Sequence, residues 1–139
     1  YALESFGSFK HNYINCNKKI NFFNSNNQIF TNKKINNILK IVASRSHLSK
    51  DMDKWLIKQK KYDLVDAGSS IKFCLVAEGT ADVYPRFVGS SEWDIAAGYI
   101  ILKESGGITL DVNKNNIKFN KKNIRNPYFI ASSQTFIKL

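Results

Sequence analysis

Compact apolar runs alternate with amphipathic stretches along most of this chain, and that alternation is the feature that most restricts its fold. Ile38 to Ala43, apolar but for Lys40, reads as a buried strand, because so compact an apolar run has little polar face to show to water. Ser49 then caps a helix with Asp51 and Asp53 in its first turn, where carboxylates offset the helix dipole. Met52, Trp55 and Leu56 would face inward. Tyr62 to Asp66 is a short strand, and a helix from about Ser70 to Glu78 follows, closed by Gly79. Ala81 to Arg86 is the next strand. Ser91-Glu92-Trp93-Asp94 has the form of a capping box, opening a helix that runs to Glu104 and ends at Gly106-Gly107. Ile108 to Val112 is a strand, Asn113 to Asn116 a turn, and Ile117 to Phe119 a short return strand. Tyr128 to Ala131, after Pro127, is a last buried strand. Strands alternating with helices imply a layered α/β domain over residues 38–139, a mixed sheet flanked by helices.

Residues 1–37 have a different character. Tyr1 to Lys10, Lys19 to Phe23 and Gln28 to Thr31 read as short strands, the last two separated by Asn24-Ser25-Asn26-Asn27. Asn32 to Asn37 is a polar connector. The chain opens at Tyr1 inside a strand-like run, without Met, as a fragment of a longer protein would. Strands without their partners would leave an apolar face and open edges exposed, with a risk of aggregation.

Charge and cysteine content narrow the function classes. Lys and Arg number 21 against 11 Asp and Glu, a net charge of +10, so anionic partners are expected: nucleic acid, a membrane surface or phosphorylated small molecules. The charge is scattered through Lys, Asn and Ile-rich sequence and is not gathered in one block, which disfavours a dedicated nucleic-acid surface. A nucleic-acid or anion-binding module remains the alternative of another class, and it requires a contiguous basic face and steep salt dependence. Cys16 and Cys74 lack motif spacing and fit a reducing, cytoplasmic setting, with Cys74 a small core residue; peripheral association with an inner membrane stays open. No stretch reaches the length of a membrane span.

Three segments break local rules. In Gly68-Ser69-Ser70-Ile71-Lys72 a lysine stands in the first turn of a helix, against the positive end of the dipole, beside two serines. A docked phosphate would turn that arrangement favourable, whereas the bland reading is a solvated lysine after an ordinary serine cap. Ser44-Arg45-Ser46-His47 follows a buried strand, where ligands gather in open α/β sheets; taken alone it reads more readily as a polar loop with a helix cap. Trp93-Asp94-Ile95-Ala96-Ala97-Gly98 places an aspartate at a helix start, followed by small residues that permit close approach to another backbone. Asp94 is either a cap or a ligand for a hard cation, and one carboxylate is too few for a magnesium site by itself. The two histidines lack zinc-like spacing, no Gly-rich nucleotide loop occurs, and no serine or cysteine is framed as a nucleophile.

Taken with Ala81-Asp82-Val83-Tyr84-Pro85-Arg86 and Glu104-Ser105-Gly106-Gly107, these segments resemble the inositol monophosphatase superfamily, and within it the bacterial 3'(2'),5'-bisphosphate nucleotidases. The resemblance covers residues 38 to 132, and Tyr1 to Lys10 is similar to the family's strand Tyr-Ala-x-Glu-x-x-Gly-Ser ahead of the domain junction. It implies a sugar-phosphatase-type fold in which residues 1–37 are remnant strands of the preceding phosphatase domain. It implies Mg²⁺ as cofactor, with Asp94 as metal ligand and catalytic residue. Ser69, Ser70, Lys72 and Arg86 would bind substrate, and Ser44, Arg45, Ser46 and His47 would line the nucleotide pocket. Arg86 stands where inositol-specific members carry a glutamate, and a cation there suits a second phosphate. The implied reaction is hydrolysis of 3'-phosphoadenosine 5'-phosphate to AMP and phosphate, a step connected with sulfur assimilation. An inositol or sugar monophosphatase of the same fold is the alternative. The family's Asp-Pro-Ile-Asp-Gly-Thr motif and its upstream metal-binding glutamate do not occur in this sequence. The isolated chain is therefore expected to bind anions weakly, to hydrolyse nothing, and to need the family's N-terminal half for activity.

Overall fold

Strand periodicity of two divides the apolar residues between two faces of one sheet, and each face acquires its own helices. A computed structural model describes residues 1–11, 23–34, 37–44 and 49–137. Its elements are β1 (Ala2–Leu3), β2 (Gly7–Phe9), β3 (Gln28–Ile29), β4 (Leu39–Ala43), α1 (Lys50–Leu56) and β5 (Tyr62–Asp66). They continue with α2 (Ile71–Ala77), β6 (Val83–Arg86), α3 (Glu92–Glu104), β7 (Gly107–Asp111), β8 (Phe129–Ser133) and α4 (Gln134–Ile137). The main sheet has five strands in the order β5-β4-β6-β8-β7. β4 runs parallel to β5 and β6, whereas β8 is antiparallel to both of its neighbours, so the sheet is mixed.

On β4, Val42 points into a core with Phe73, Val76, Ile95, Leu102 and Phe129 beneath α2 and α3, while Leu39, Ile41 and Ala43 join Met52, Leu56 and Phe87 on the α1 side. β6 and β8 split likewise: Tyr84, Phe129 and Ala131 face α2 and α3, and Val83 and Ile130 face α1. Each large apolar side chain so buried contributes about 1.5–3 kcal/mol. Phe73, Tyr84 and Phe129 form an aromatic triangle with centroids 5.3–5.8 Å apart, which fixes the tyrosine ring under the candidate site.

α3 lies against α2 through Gly98, where a Cβ would stand 2.6 Å from Phe73 Cδ2. The close approach expected of the Ala-Ala-Gly run therefore belongs to the glycine alone and meets a ring, not a backbone; Ala96 and Ala97 are exposed. The small sheet β1-β2-β3 packs on the far side of α3, where Ser8 Oγ donates to Ile101 O (2.6 Å) and Thr31 N to Ser105 O (3.0 Å). Tyr1, Leu3, Phe6, Phe23 and Phe30 are exposed on this part of the molecule, and the rings of Tyr1, Phe6 and Phe23 pack against one another. Asp82, buried at the start of β6, accepts from Lys40 N and Asn32 Nδ2, both at 2.8 Å, tying the connector to the sheet.

Several expectations need correction. Ile117–Phe119 is not a strand; only an isolated bridge between Leu110 and Asn116 forms, because Asp111 takes up the N–H groups of Asn113 and Asn115 in the turn. Cys74 is half-buried and outside the two cores, on a groove lined by Tyr1, Phe9 and Ile101. α4 went unread because a four-residue helix after a strand has no periodicity to show. The strand expected over Lys19–Phe23 and Cys16 lie outside the described residues, apart from Phe23.

Candidate functional site

Strand alternation carries Arg86, the last residue of β6, to the same face as Tyr84, two residues before it. Its Nη1 donates to Tyr84 OH (3.4 Å) and its Nη2 to Gly89 O (3.2 Å), while Nε is buried with no partner among the described residues. The guanidinium forms part of a cleft of about 360 Å³ together with Ser69, Ser70, Ser90, Trp93 and Asp94. A smaller pocket of about 30 Å³ also borders Arg86 and Tyr84 and is lined further by Ser44, Ser49, Met52 and Lys72.

The sequence Gly68-Ser69-Ser70 has no side-chain cap. Ser70 occupies the N-cap position of α2 without a side-chain hydrogen bond, and Ser69 is held at φ 49°, a left-handed conformation that is strained for a serine. Among the described residues neither hydroxyl is taken up by a protein partner. Lys72 is 3% exposed, so it is not a solvated lysine. Its Nζ donates to Ser69 O at 3.3 Å and lies 5.3 Å from the centroid of the Tyr84 ring. Burial above all, then the neighbouring Arg86 charge, pushes its pKa below the usual lysine value, with Asp66 acting in the opposite sense. Burial likewise raises the pKa of the Tyr84 phenol, against the lowering effect of Arg86 and with Asp94 adding to the rise.

Asp94 stands in the first turn of α3, where its Oδ2 accepts from Ser91 N at 2.7 Å. It is thus a cap as well as the one carboxylate of the cleft. Of the residues singled out in the sequence, Ser69, Ser70, Arg86 and Asp94 share this cleft, and Ser44 and Lys72 share the smaller pocket. Arg45, Ser46 and His47 lie outside the described residues. Sequence reasoning missed Tyr84, Ser90 and Trp93. Trp93 is 68% exposed on the cleft rim, and its place beside Asp94 was the available signal. Tyr84 reads in sequence as one more core residue of a strand, and nothing there shows that its hydroxyl meets a cation.

The sequence matches the inositol monophosphatase family over residues 9–138. The chain belongs to that family. Among curated proteins, the 3'(2'),5'-bisphosphate nucleotidase CysQ of Buchnera aphidicola is 48% identical over 67 residues, which cover 48% of this chain and 25% of that protein. CysQ of Aggregatibacter actinomycetemcomitans is 33% identical over 132 residues, covering 94% of this chain and 46% of its own length. The crystal structure of CysQ from Bacteroides thetaiotaomicron superposes with a TM-score of 0.70 at 37% identity, over 78% of this chain and 42% of that one. The chain thus spans less than half the length of each of these inositol monophosphatase family relatives. Among the described residues no helix is long and apolar enough to cross a membrane.

Proposed function

We propose that this chain is the substrate-binding half of a bisphosphate nucleotidase, a phosphatase that removes the 3'-phosphate of 3'-phosphoadenosine 5'-phosphate. In this reading residues 38–139 form the nucleotide-binding α/β domain, and residues 1–37 belong with the sheet of the preceding phosphatase domain. The observation that carries it is the convergence of Arg86, Ser69, Ser70 and Asp94 on one cleft, with Lys72 buried beside Arg86. Two cations and two uncommitted hydroxyls suit a phosphorylated ligand, and the second cation beside the first suits one with two phosphates.

In the reaction, water adds to the 3'-phosphorus, the bond from phosphorus to the 3'-oxygen breaks, and AMP and phosphate leave. A magnesium ion held by Asp94 together with further acidic groups would supply activation of that water and neutralisation of charge. The described residues do not form a magnesium site on their own: no three carboxylate, imidazole or thiolate side chains converge, and the cleft offers only Asp94. Asp94 would serve as a ligand only alongside acidic groups of the kind the family's missing motif supplies. The chain alone therefore binds nucleotide and does not hydrolyse it.

The test is calorimetric titration of the purified chain with adenosine 3',5'-bisphosphate and with inositol phosphate, and turnover of both by the full-length protein. The bisphosphate is expected to bind more tightly and to turn over faster. Faster turnover of inositol phosphate would overturn the substrate assignment in favour of an inositol monophosphatase. Binding of neither compound would overturn the cleft as an anion site.

A further inference from the structure

One wall of the cleft is the loop that leads from β6 into α3, and a segment remote in sequence grips that loop residue by residue. Asn126 N donates to Ser90 O (2.9 Å), and Asn126 Nδ2 donates to Ser90 Oγ (3.2 Å). Ser91 and Arg125 form an isolated antiparallel bridge, and Glu92 N donates to Ile124 O (3.0 Å). One step further, the Glu92 carboxylate accepts from Asn120 N (2.8 Å) and Lys121 N (3.2 Å) and pairs with Lys121 Nζ. Asn120 takes a left-handed conformation, φ 59°, to present its N–H. Asn126 is 8% exposed, and its Oδ1 is buried without a partner among the described residues.

We propose that segment 118–126 is a positioning clamp for the cleft, with Asn126 and Glu92 as its two positioning residues. Neither lines the cleft. Ser90, which Asn126 holds, directly follows Gly89, whose carbonyl accepts from Arg86 Nη2. Glu92 stands two residues before Asp94 on the same helical turn. The clamp thereby fixes the cation and the carboxylate of the cleft relative to one another without touching a ligand. The proposal rests on the anion-binding reading given above.

The sign of one substitution separates positioning from simple electrostatics. Glu92 is a negative charge close to an anion site, so if it acted only through its field, its removal would strengthen anion binding. If it positions the loop, its removal weakens binding.

The experiment uses the full chain, with inorganic phosphate as the probe, and compares the wild type with Asn126→Ala, Glu92→Ala and Glu92→Gln. Phosphate affinity is read by calorimetry, and the Arg86 guanidinium by its Nε–H resonance, which is simple to assign because the chain has only Arg45, Arg86 and Arg125. Asn126→Ala and Glu92→Ala are expected to weaken phosphate binding on the order of tenfold, as loss of an orienting partner does, and to shift the Arg86 resonance. Glu92→Gln keeps one of the two oxygens that accept from Asn120 and Lys121 and loses the other, so it should weaken phosphate binding by less than Glu92→Ala does. Equal or tighter binding by a folded Glu92→Ala chain, with the Arg86 resonance unmoved, would overturn the clamp. Should Asn126→Ala fail to fold, Glu92→Ala decides alone. If the wild type binds no phosphate, the anion-site reading falls, and the Arg86 resonance still decides the clamp: a shift supports it and an unmoved signal overturns it.

Discussion

Replacing Lys72 by methionine should make the chain more stable and a poorer anion binder at once. Lys72 is 3% exposed, and among the described residues its ammonium makes one long hydrogen bond, 3.3 Å to Ser69 O, and lies 5.3 Å from the Tyr84 ring. Losing the bond costs at most about 1 kcal/mol, and losing the ring contact about another 1 kcal/mol. Against that, methionine has nearly the same volume and removes the cost of burying a charge together with repulsion from Arg86, a cost reduced because Lys72 borders the small open pocket. The balance is about 1 kcal/mol in favour of methionine, or roughly 3–4 °C in melting temperature for a chain of this size. Thermal unfolding followed by circular dichroism measures this, and calorimetry with phosphate measures the expected loss of binding. The pH dependence adds a second readout. Because the folded pKa of Lys72 lies below 10.5, the folded chain holds fewer protons than the unfolded chain between that depressed value and 10.5. Stability should therefore rise with pH through that window, since the cost of burying the charge is present below it and relieved above it. Lys72→Met should abolish that rise. A lower melting temperature in the variant, or a rise in stability that survives the substitution, would refute the reasoning.

Other substitutions test separate steps. Gly98→Ala forces a methyl group into the Phe73 ring and should destabilise the chain by about 1–3 kcal/mol, read as a lower urea midpoint; an unchanged midpoint would show that α3 does not rest on Phe73. Asp94→Asn keeps an oxygen to accept from Ser91 N, so the melting temperature should move little while turnover of the full-length protein nearly vanishes; normal turnover would reduce Asp94 to a helix cap. Arg86→Glu should weaken adenosine 3',5'-bisphosphate far more than a monophosphate, and equal losses in titrations with both would remove Arg86 from the specificity role.

Much of this was legible because it is written in local patterns. Tyr62–Asp66 matches its expected limits, and the limits of Leu39–Ala43, Ile71–Ala77 and Glu92–Glu104 differ by a residue or so, since each has a strand or helix period and a nearby cap or glycine. Ile117–Phe119 failed for the opposite reason: its alternation is that of a strand, but hydrogen bonds from Asn113 N and Asn115 N to the Asp111 carboxylate bend the chain before it can pair. In the candidate site, Ser69, Ser70 and Asp94 were visible in segments that break local rules and Arg86 through the family resemblance, whereas Tyr84 and Ser90 were hidden because strand and loop positions give them ordinary identities. The clamp at 118–126 depends on contacts more than 25 residues apart in sequence, such as Asn120 to Glu92, which no period reports.

The molecule also contains its own control for the claim that α2 is built around a ligand. Two helices follow parallel strands β4 and β5, and each begins at a serine. At α1 the serine does what isolated helix physics asks: Ser49 Oγ accepts from Met52 N at 3.2 Å, Asp51 and Asp53 stand in the first turn, and Met52 and Leu56 are buried. At α2, which also buries apolar residues, the choices at the helix start are reversed. Ser70 makes no cap bond, no acid stands in the first turn, a lysine is buried there, and the preceding serine is strained into φ 49°. The same chain, in the same sheet, can build the stable version, so composition bias does not explain the unstable one. Strain, an uncapped serine and a buried cation at one end of one helix are costs that a bound anion would offset under the proposed function, and they sit beside Arg86, whose Nε is itself buried without a partner among the described residues.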